Sequence, residues 1–261
     1  MEDGERSAQQ YDAMAAEYAV DNASSPYNAF YERPATMALL GKVAGRRVLE
    51  VGCGSGILTT WLVDEGATVT GMDVSPAMLD LARRSVGERA DLVVADLAAP
   101  LPFETAGFDI AVASLVLHYV RDWTAALREL RRVLSPDGLV VFSTHHPTMD
   151  WELSSPDDYF ALKQVTETWP KGGRAFEVTF WRRPLTDMCE AIAHAGFVIE
   201  RLVEPEPLAE LAERDADAYK TIRTKPRFLF FRLRPACAPK QPVMRGRETP
   251  KSQEESTPND G

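Results

Sequence analysis

Two carboxylates, Asp73 and Asp96, and a run of glycines stand where ligand chemistry would need them. Gly52, Gly54 and Gly56 alternate between the apolar run Val48, Leu49, Val51 and a helical pattern that starts at Ile57. Strand, glycine turn and helix start together make a nucleotide-type ligand site, because glycine turns tightly and carries no Cβ to hold a ligand away. Asp73 ends the next apolar run, where an acidic side chain can accept hydrogen bonds from both ribose hydroxyls. Ser75-Pro76 behind it already supplies a helix cap and first turn, which leaves Asp73 for a ligand. Asp96 closes a third run. His118 follows the fourth run, and His145 and His146 follow the fifth. Histidine is poised for proton transfer near neutral pH, but successive residues of an extended segment point to opposite sides, so at most one of His145 and His146 can face a substrate.

Spacing separates the candidate ligands. A dinucleotide fingerprint needs a glycine where Ile57 stands, and no Gly-Lys-Ser/Thr follows to make a phosphate-cradling loop. The stretch Arg47-Val-Leu-Glu-Val-Gly-Cys-Gly-Ser-Gly56 instead resembles the glycine-rich loop of class I S-adenosylmethionine-dependent methyltransferases. Asp96-Leu97 ahead of Leu101-Pro-Phe103 resembles that family's adenine-reading segment, and Tyr11-Asp-x-x-Ala-x-x-Tyr18 resembles the start of its small-molecule members. The resemblance covers about residues 11 to 235 and is most specific from Val48 to Phe103.

The elements that must position these residues alternate along the chain. Helical spacing at Tyr11, Met14, Ala15 and Tyr18, then at Tyr27, Phe30 and Tyr31 towards Leu40, predicts two lid helices with a break at Asn22 to Pro26. Strands at 48–51, 68–72, 92–95, 108–114 and 139–143 alternate with helices, which implies a parallel sheet with ligands at its carboxyl ends. Residues 145 to 184 are too long for a connector and read as a β-hairpin around Pro170 to Gly173, rich in aromatics. A helix at 185–192, a strand at 197–203, a long Glu/Ala/Pro connection and a last strand at 228–233 complete the pattern.

With 261 residues and 45% hydrophobic content the chain can build a sizeable core. Its net charge of −10 argues against a surface made for nucleic acid. No apolar run is long enough for a membrane span, and Met1-Glu-Asp-Gly-Glu-Arg does not read as a signal sequence. Cys53, Cys189 and Cys237 form neither a disulfide framework nor a zinc pattern, so a reducing, cytoplasmic setting is expected.

The resemblance implies an α/β, doubly wound seven-stranded sheet in the order 3-2-1-4-5-7-6 with its last strand antiparallel. It fits a division into an N-terminal helical lid at 1–45, a cofactor-binding core at 46–144 and 185–235 and an inserted substrate cap at 145–184, while the Pro, Lys, Arg, Ser and Glu composition without aromatics after Pro235 predicts a disordered tail at 236–261. The cofactor would be S-adenosylmethionine, with S-adenosylhomocysteine as product. Its site would comprise Tyr11, Tyr18, Glu50, Gly52, Cys53, Gly54, Asp73, Val74, Met78, Asp96, Leu97 and Ser114, with His118, His145 and His146 as candidate bases and no metal. The acceptor would be a small, partly apolar metabolite under an aromatic cap, and the chain a monomer or homodimer. An RNA methyltransferase and a cofactor-binding module without methyl transfer are the alternative readings.

Overall fold

A computed structural model describes residues 3–154 and 158–236; the expected tail therefore lies outside the described residues apart from Ala236. Seven strands form one sheet: β1 (Arg47–Val51), β2 (Thr68–Asp73), β3 (Asp91–Val94), β4 (Phe108–Ser114), β5 (Leu134–His145), β8 (Phe197–Val203) and β9 (Phe228–Pro235). Their order is β3-β2-β1-β4-β5-β9-β8. The first five are parallel, and β9 runs antiparallel between β5 and β8. This is the expected order 3-2-1-4-5-7-6, with the two strands of a separate hairpin, β6 (Lys163–Lys171) and β7 (Arg174–Arg182), intervening in sequence.

Alternation along the central strands builds two apolar layers. Leu49, Val51, Ala111 and Ala113 face helices α5 (Trp123–Val133) and α7 (Leu185–His194), while Val48, Ile110, Val112 and Val141 face α2 (Arg33–Leu40) and α3 (Ile57–Asp64). Trp123, Ala126, Leu127, Leu130 and Val133 make one buried stripe on α5, and Asp122 Oδ1 accepts from Ala125 N at 2.9 Å to start that helix. Helix α4 (Pro76–Val86) is begun by Ser75 Oγ, which accepts from Met78 N at 3.1 Å.

Several local features depart from the sequence pattern. Helix α1 runs without interruption from Asp3 to Ser24, so the lid begins well before Tyr11. Asn28–Glu32 then makes one wide π-turn into α2. The turn-forming sequence Ser135-Pro-Asp-Gly138 is absorbed within β5, ahead of the expected strand at 139–143: Leu134 pairs with Phe108 and Leu139 with Ile110, and the residues between bulge out of the register. Pro147–Ser154 is a short helix, α6, and the long Glu/Ala/Pro connection carries α8 (Glu210–Arg214) and α9 (Ala216–Thr224). These two are anchored by single buried side chains, Leu211 and Ile222, and Asp215 caps α9 through Ala218 N at 2.9 Å. Among the described residues no helix is long and apolar enough to cross a membrane.

The hairpin packs on α1 and, through Phe180, on His118 after β4 and His145 at the end of β5. Phe176, Val178 and Phe180 alternate onto one face of β7 and bury Met14 and Tyr119 with them. At its tip, Lys171 contacts the carboxylate of Asp21, and Arg174 Nη1 lies 2.8 Å from Glu17 Oε1, both acids on α1.

Candidate functional site

Above the carboxyl ends of β3, β2, β1 and β4 lies one cavity, roofed by α1. Its floor is the glycine turn. Gly52 and Gly54 have φ of 68° and 54°, a region that side-chain-bearing residues rarely enter, and a Cβ on Gly52 would lie 2.3 Å from Val116 Cγ2. Asp73 organises the same turn: Oδ2 accepts from Gly54 N and Oδ1 from Ser75 N, each at 2.9 Å. Burial raises the Asp73 pKa, and these backbone N–H groups act against that rise.

Glu50, 3% exposed, also lines the cavity. Thr59 Oγ1 donates to its Oε2 at 2.6 Å, and burial, with smaller contributions from the Asp73 and Glu32 charges, pushes its pKa up to about 8. Cys53 sits in the turn with its thiol pKa raised by burial, which keeps it protonated and a poor nucleophile. At the far end Asp96 Oδ1 accepts from Ala98 N at 2.8 Å beside buried Leu97. Gly4 of α1 lies directly against that carboxylate.

The lid contributes an aromatic wall. Tyr11 and Tyr119 share a hydrogen bond between hydroxyls, 2.8 Å apart, and the Tyr11 ring meets those of Tyr18 and Tyr119 edge-on. Burial raises all three tyrosine pKa values, that of Tyr18 to about 12, so the hydroxyls stay protonated. At the end of β4, Ser114 and the following Leu115 line the cavity, and Leu115 has φ of 55°, a strained value for an apolar side chain.

Of the residues expected at the cofactor, Tyr11, Tyr18, Glu50, Gly52, Cys53, Gly54, Asp73, Val74, Asp96, Leu97 and Ser114 line this cavity. Met78 does not: it points from α4 into the core and is 1% exposed. The three candidate bases also lie off the cavity wall. His118 and His145 stack on each other beneath the hairpin, against Phe180. His146 turns the other way, to Glu204 Oε1 and Thr148 Oγ1, both at 2.8 Å. The aromatics of the hairpin are absent from the lining too, because α1 separates them from it.

Other lining residues had not been singled out. Gly4, Ser7 and Asn22 continue the Tyr11 and Tyr18 stripe of α1 at helical spacing, a periodicity that small and polar residues hide from a hydrophobic reading. Asn28, Glu32 and Arg33 come from the π-turn and the start of α2. Glu32 is buried against β5, where its Oε1 accepts from Thr36 Oγ1 at 2.8 Å and Ser143 Oγ at 2.6 Å. Burial raises its pKa, and the two hydroxyls oppose the shift.

The donor set suits a cationic, ribose-bearing ligand. Carboxylates accept from ribose hydroxyls and an adenine amino group, and they favour a sulfonium charge in a site partly closed to water.

Residues 49–142 match the family model described as "Methyltransferase domain". An uncharacterized methyltransferase of Synechocystis is 31% identical over 60% of this chain and 69% of its own length. The chain belongs to the S-adenosylmethionine-dependent methyltransferases. A crystal structure of an S-adenosylmethionine-dependent methyltransferase from Mesorhizobium loti superposes with TM-score 0.63 at 28% identity, over 78% of this methyltransferase chain and 97% of that one. The malonyl-[acyl-carrier protein] O-methyltransferase of Legionella pneumophila is 38% identical over 44% of this chain. That match spans 41% of the relative's length, so the likeness is confined to part of it. S-adenosylmethionine is the family's methyl donor, and the carboxylates and glycine turn described above are the groups that would hold it.

Proposed function

We propose that this methyltransferase moves the S-adenosylmethionine methyl group to an oxygen, nitrogen or carbon of a small, partly apolar acceptor. The observation that carries the reading is the continuity of one cavity from Asp96 and Asp73 to the tyrosine wall and the exit of β4. In it, Asp73 would take the ribose and Asp96 the adenine, with the Gly52 to Gly54 backbone beneath the methionine end. The acceptor would lie among Tyr11, Tyr18, Tyr119 and Leu115, which offer ring faces and hydroxyls but no charge.

A sulfonium is already a strong electrophile, so the chain's part is to align donor and acceptor and to keep water out. The roof made by α1 serves the second task. Where the acceptor must lose a proton, Glu32 is the group placed to receive it, since burial favours its protonated form. The reading uses none of the three histidines. An acceptor bearing a carboxylate or hydroxyl is the first class to assay, in line with the O-methyl transfer in the Legionella relative's name. A reducing cytoplasmic setting, a monomeric or homodimeric state, and residues 145–184 acting as a unit that braces the lid belong to the same proposal.

Calorimetry with S-adenosylmethionine, NADH and ATP tests the donor, and methyl release against pools of small metabolites tests transfer. Binding of the first ligand alone, with release dependent on added metabolite, is the expected result. Cofactor binding without any methyl release from metabolite pools, RNA or protein would leave a binding module in place of an enzyme.

A further inference from the structure

The hairpin leaves a long sheet edge open. Strand β7 stands between β6 and the body of the molecule, against residues Leu117–Tyr119 and α6, and among the described residues β7 is the one strand that pairs with β6. The two ends of the main sheet are blunted: β3 has four residues, and the register of β8 breaks between Ile199 and Arg201. By contrast β6 runs for nine residues, Lys163–Lys171, in unbroken register with β7. A two-stranded ribbon is marginal on its own, and α1 packs against the face that carries Val165, Phe176, Val178 and Phe180. We propose that the open edge of β6 pairs antiparallel with β6 of a second copy of this chain, about a two-fold axis at Val165, to make one four-stranded sheet.

The backbone decides which residues can bond outward. Pro170 stands opposite Ala175 in the ladder, and with no N–H to give it fits a position whose backbone groups face away from β7. The loop agrees. Gly172 and Gly173 have φ of 55° and 77°, the primed two-residue turn, whose flanking pair, Lys171 and Arg174, bonds inward. Inward and outward positions alternate along an antiparallel strand. Gln164, Thr166 and Thr168 therefore present their N–H and C=O groups on the open edge. Residues set opposite each other across a two-fold axis share a sheet face, so only registers centred on a residue are allowed.

Side chains then select among these registers. Centring on Val165 sets Gln164 against Thr166, both outward, and Lys163 against Glu167, and symmetry makes each contact twice. An axis at Gln164 or Thr166 leaves Lys163 and Glu167 opposite apolar side chains, and an axis at Lys163 or Glu167 sets like charges together. An axis at Trp169 pairs Glu167 with Lys171, which already contacts Asp21, and brings Pro170 into the ladder with no N–H to donate. Centring on Val165 also covers apolar surface. Leu162 and Phe160, 40% and 74% exposed, fall opposite Thr168 and Pro170 of the second copy.

Sedimentation velocity on the full chain, at concentrations up to about 100 μM to include weak micromolar association, tests the pairing. The wild type is expected to pass from monomer to dimer as concentration rises. Lys163→Glu and Glu167→Lys should each weaken the dimer about 10-fold or more, because two attractive pairs become two repulsive ones. Mixing the two variants, or combining both substitutions in one chain, sets opposite charges together again and should restore the dimer. Hydrogen exchange on the wild type reads the same edge without any variant: the amides of Gln164, Thr166 and Thr168 should slow as concentration rises. A wild type that stays monomeric, a dimer indifferent to both single reversals, or exchange at these three amides that ignores concentration would overturn the proposal. So would single reversals that dissociate the dimer and are rescued neither by mixing nor by combination.

Discussion

His118 lies flat on His145, their ring centroids 3.8 Å apart and their planes 16° from parallel. Two imidazoles so placed do not both carry charge. Burial holds the His118 pKa well below its usual value, and the His145 charge adds to this. Burial also disfavours charge on His145, but Asp150 Oδ1, 3.2 Å from its Nδ1, and the Glu167 charge outweigh burial and raise its pKa. Of the two rings, His145, which faces the carboxylate, is thus the one that more readily takes up a second ring proton.

A raised folded pKa means that His145 stabilises the protein fully below the unfolded imidazole value of about 6.5, and that this contribution is lost as pH rises through the folded value. His118 works in the opposite sense, costing stability below about 6.5. Asp150→Asn should therefore lower stability by about 1–3 kcal/mol near pH 6, and by less as pH rises through the folded His145 value and the ring loses its charge. Thermal melts across this range provide the check. A loss that does not vary with pH would mean that Asp150 does not charge His145.

Asp73 offers a second prediction, because both its oxygens already serve the protein. Each accepts a backbone N–H, from Gly54 and from Ser75. Asp73→Asn would turn an amide NH₂ towards one of these donors, so it should disturb the glycine turn as well as ribose recognition. Cofactor affinity is expected to fall by about 2–4 kcal/mol, the combined loss of charge-assisted bonds and an unmatched donor. Calorimetry with S-adenosylhomocysteine measures it. An Asn variant that binds as the wild type does would remove Asp73 from both roles.

Much of this architecture was legible because it depends on short-range pattern. Strand runs that end in Asp73 or Ser114, and a glycine turn at Gly52, announce their places on the rim without tertiary information. Glu32 and Arg33 were not legible: on sequence they are charges at the start of a helix, and only the docking of α2 on Ser143 makes them cavity residues. The histidines stand apart from the cavity lining for a related reason. Residues that follow a strand end share its rim, but the hairpin and α1 decide which of them reach the cavity, and Phe180 covers His118 and His145. Of the hairpin aromatics, Phe176 and Phe180 bury Met14 and Tyr119, since a roofing helix needs apolar backing of its own.

The lid is held by acids of α1, and this makes its opening measurable. Asp12 Oδ1 accepts from Ser75 Oγ at 2.5 Å and from Ala77 N at 3.1 Å, which ties α1 to the N-terminus of α4. An anion there also suits the helix dipole. Asp12→Ala should cost about 1 kcal/mol of local stability, as loss of a cap does, and should raise amide exchange along residues 3–24 more than in the sheet. The cofactor's dissociation rate should rise with it. Unchanged exchange in α1 would show that the tie to α4 does not hold the lid.

Gly4 provides the sharpest test of how the lid meets the cofactor site. A Cβ at this position would fall 1.8 Å from Asp96 Oδ2 and 2.4 Å from its Cγ. In a free helix, Gly→Ala gains about 1 kcal/mol, so sterics and propensity oppose each other here. The carboxylate is the end of a flexible side chain and can swing away, but only by giving up its 2.8 Å bond from Ala98 N; otherwise α1 must lift. Either response alters the group that would read the adenine. Gly4→Ala is therefore expected to weaken S-adenosylhomocysteine about 10-fold while the melting temperature stays within a few degrees of the wild type, and Gly4→Val should do more. Affinity that survives both substitutions would mean that α1 does not rest on Asp96 in solution, and that the roof over the cavity closes elsewhere along the helix.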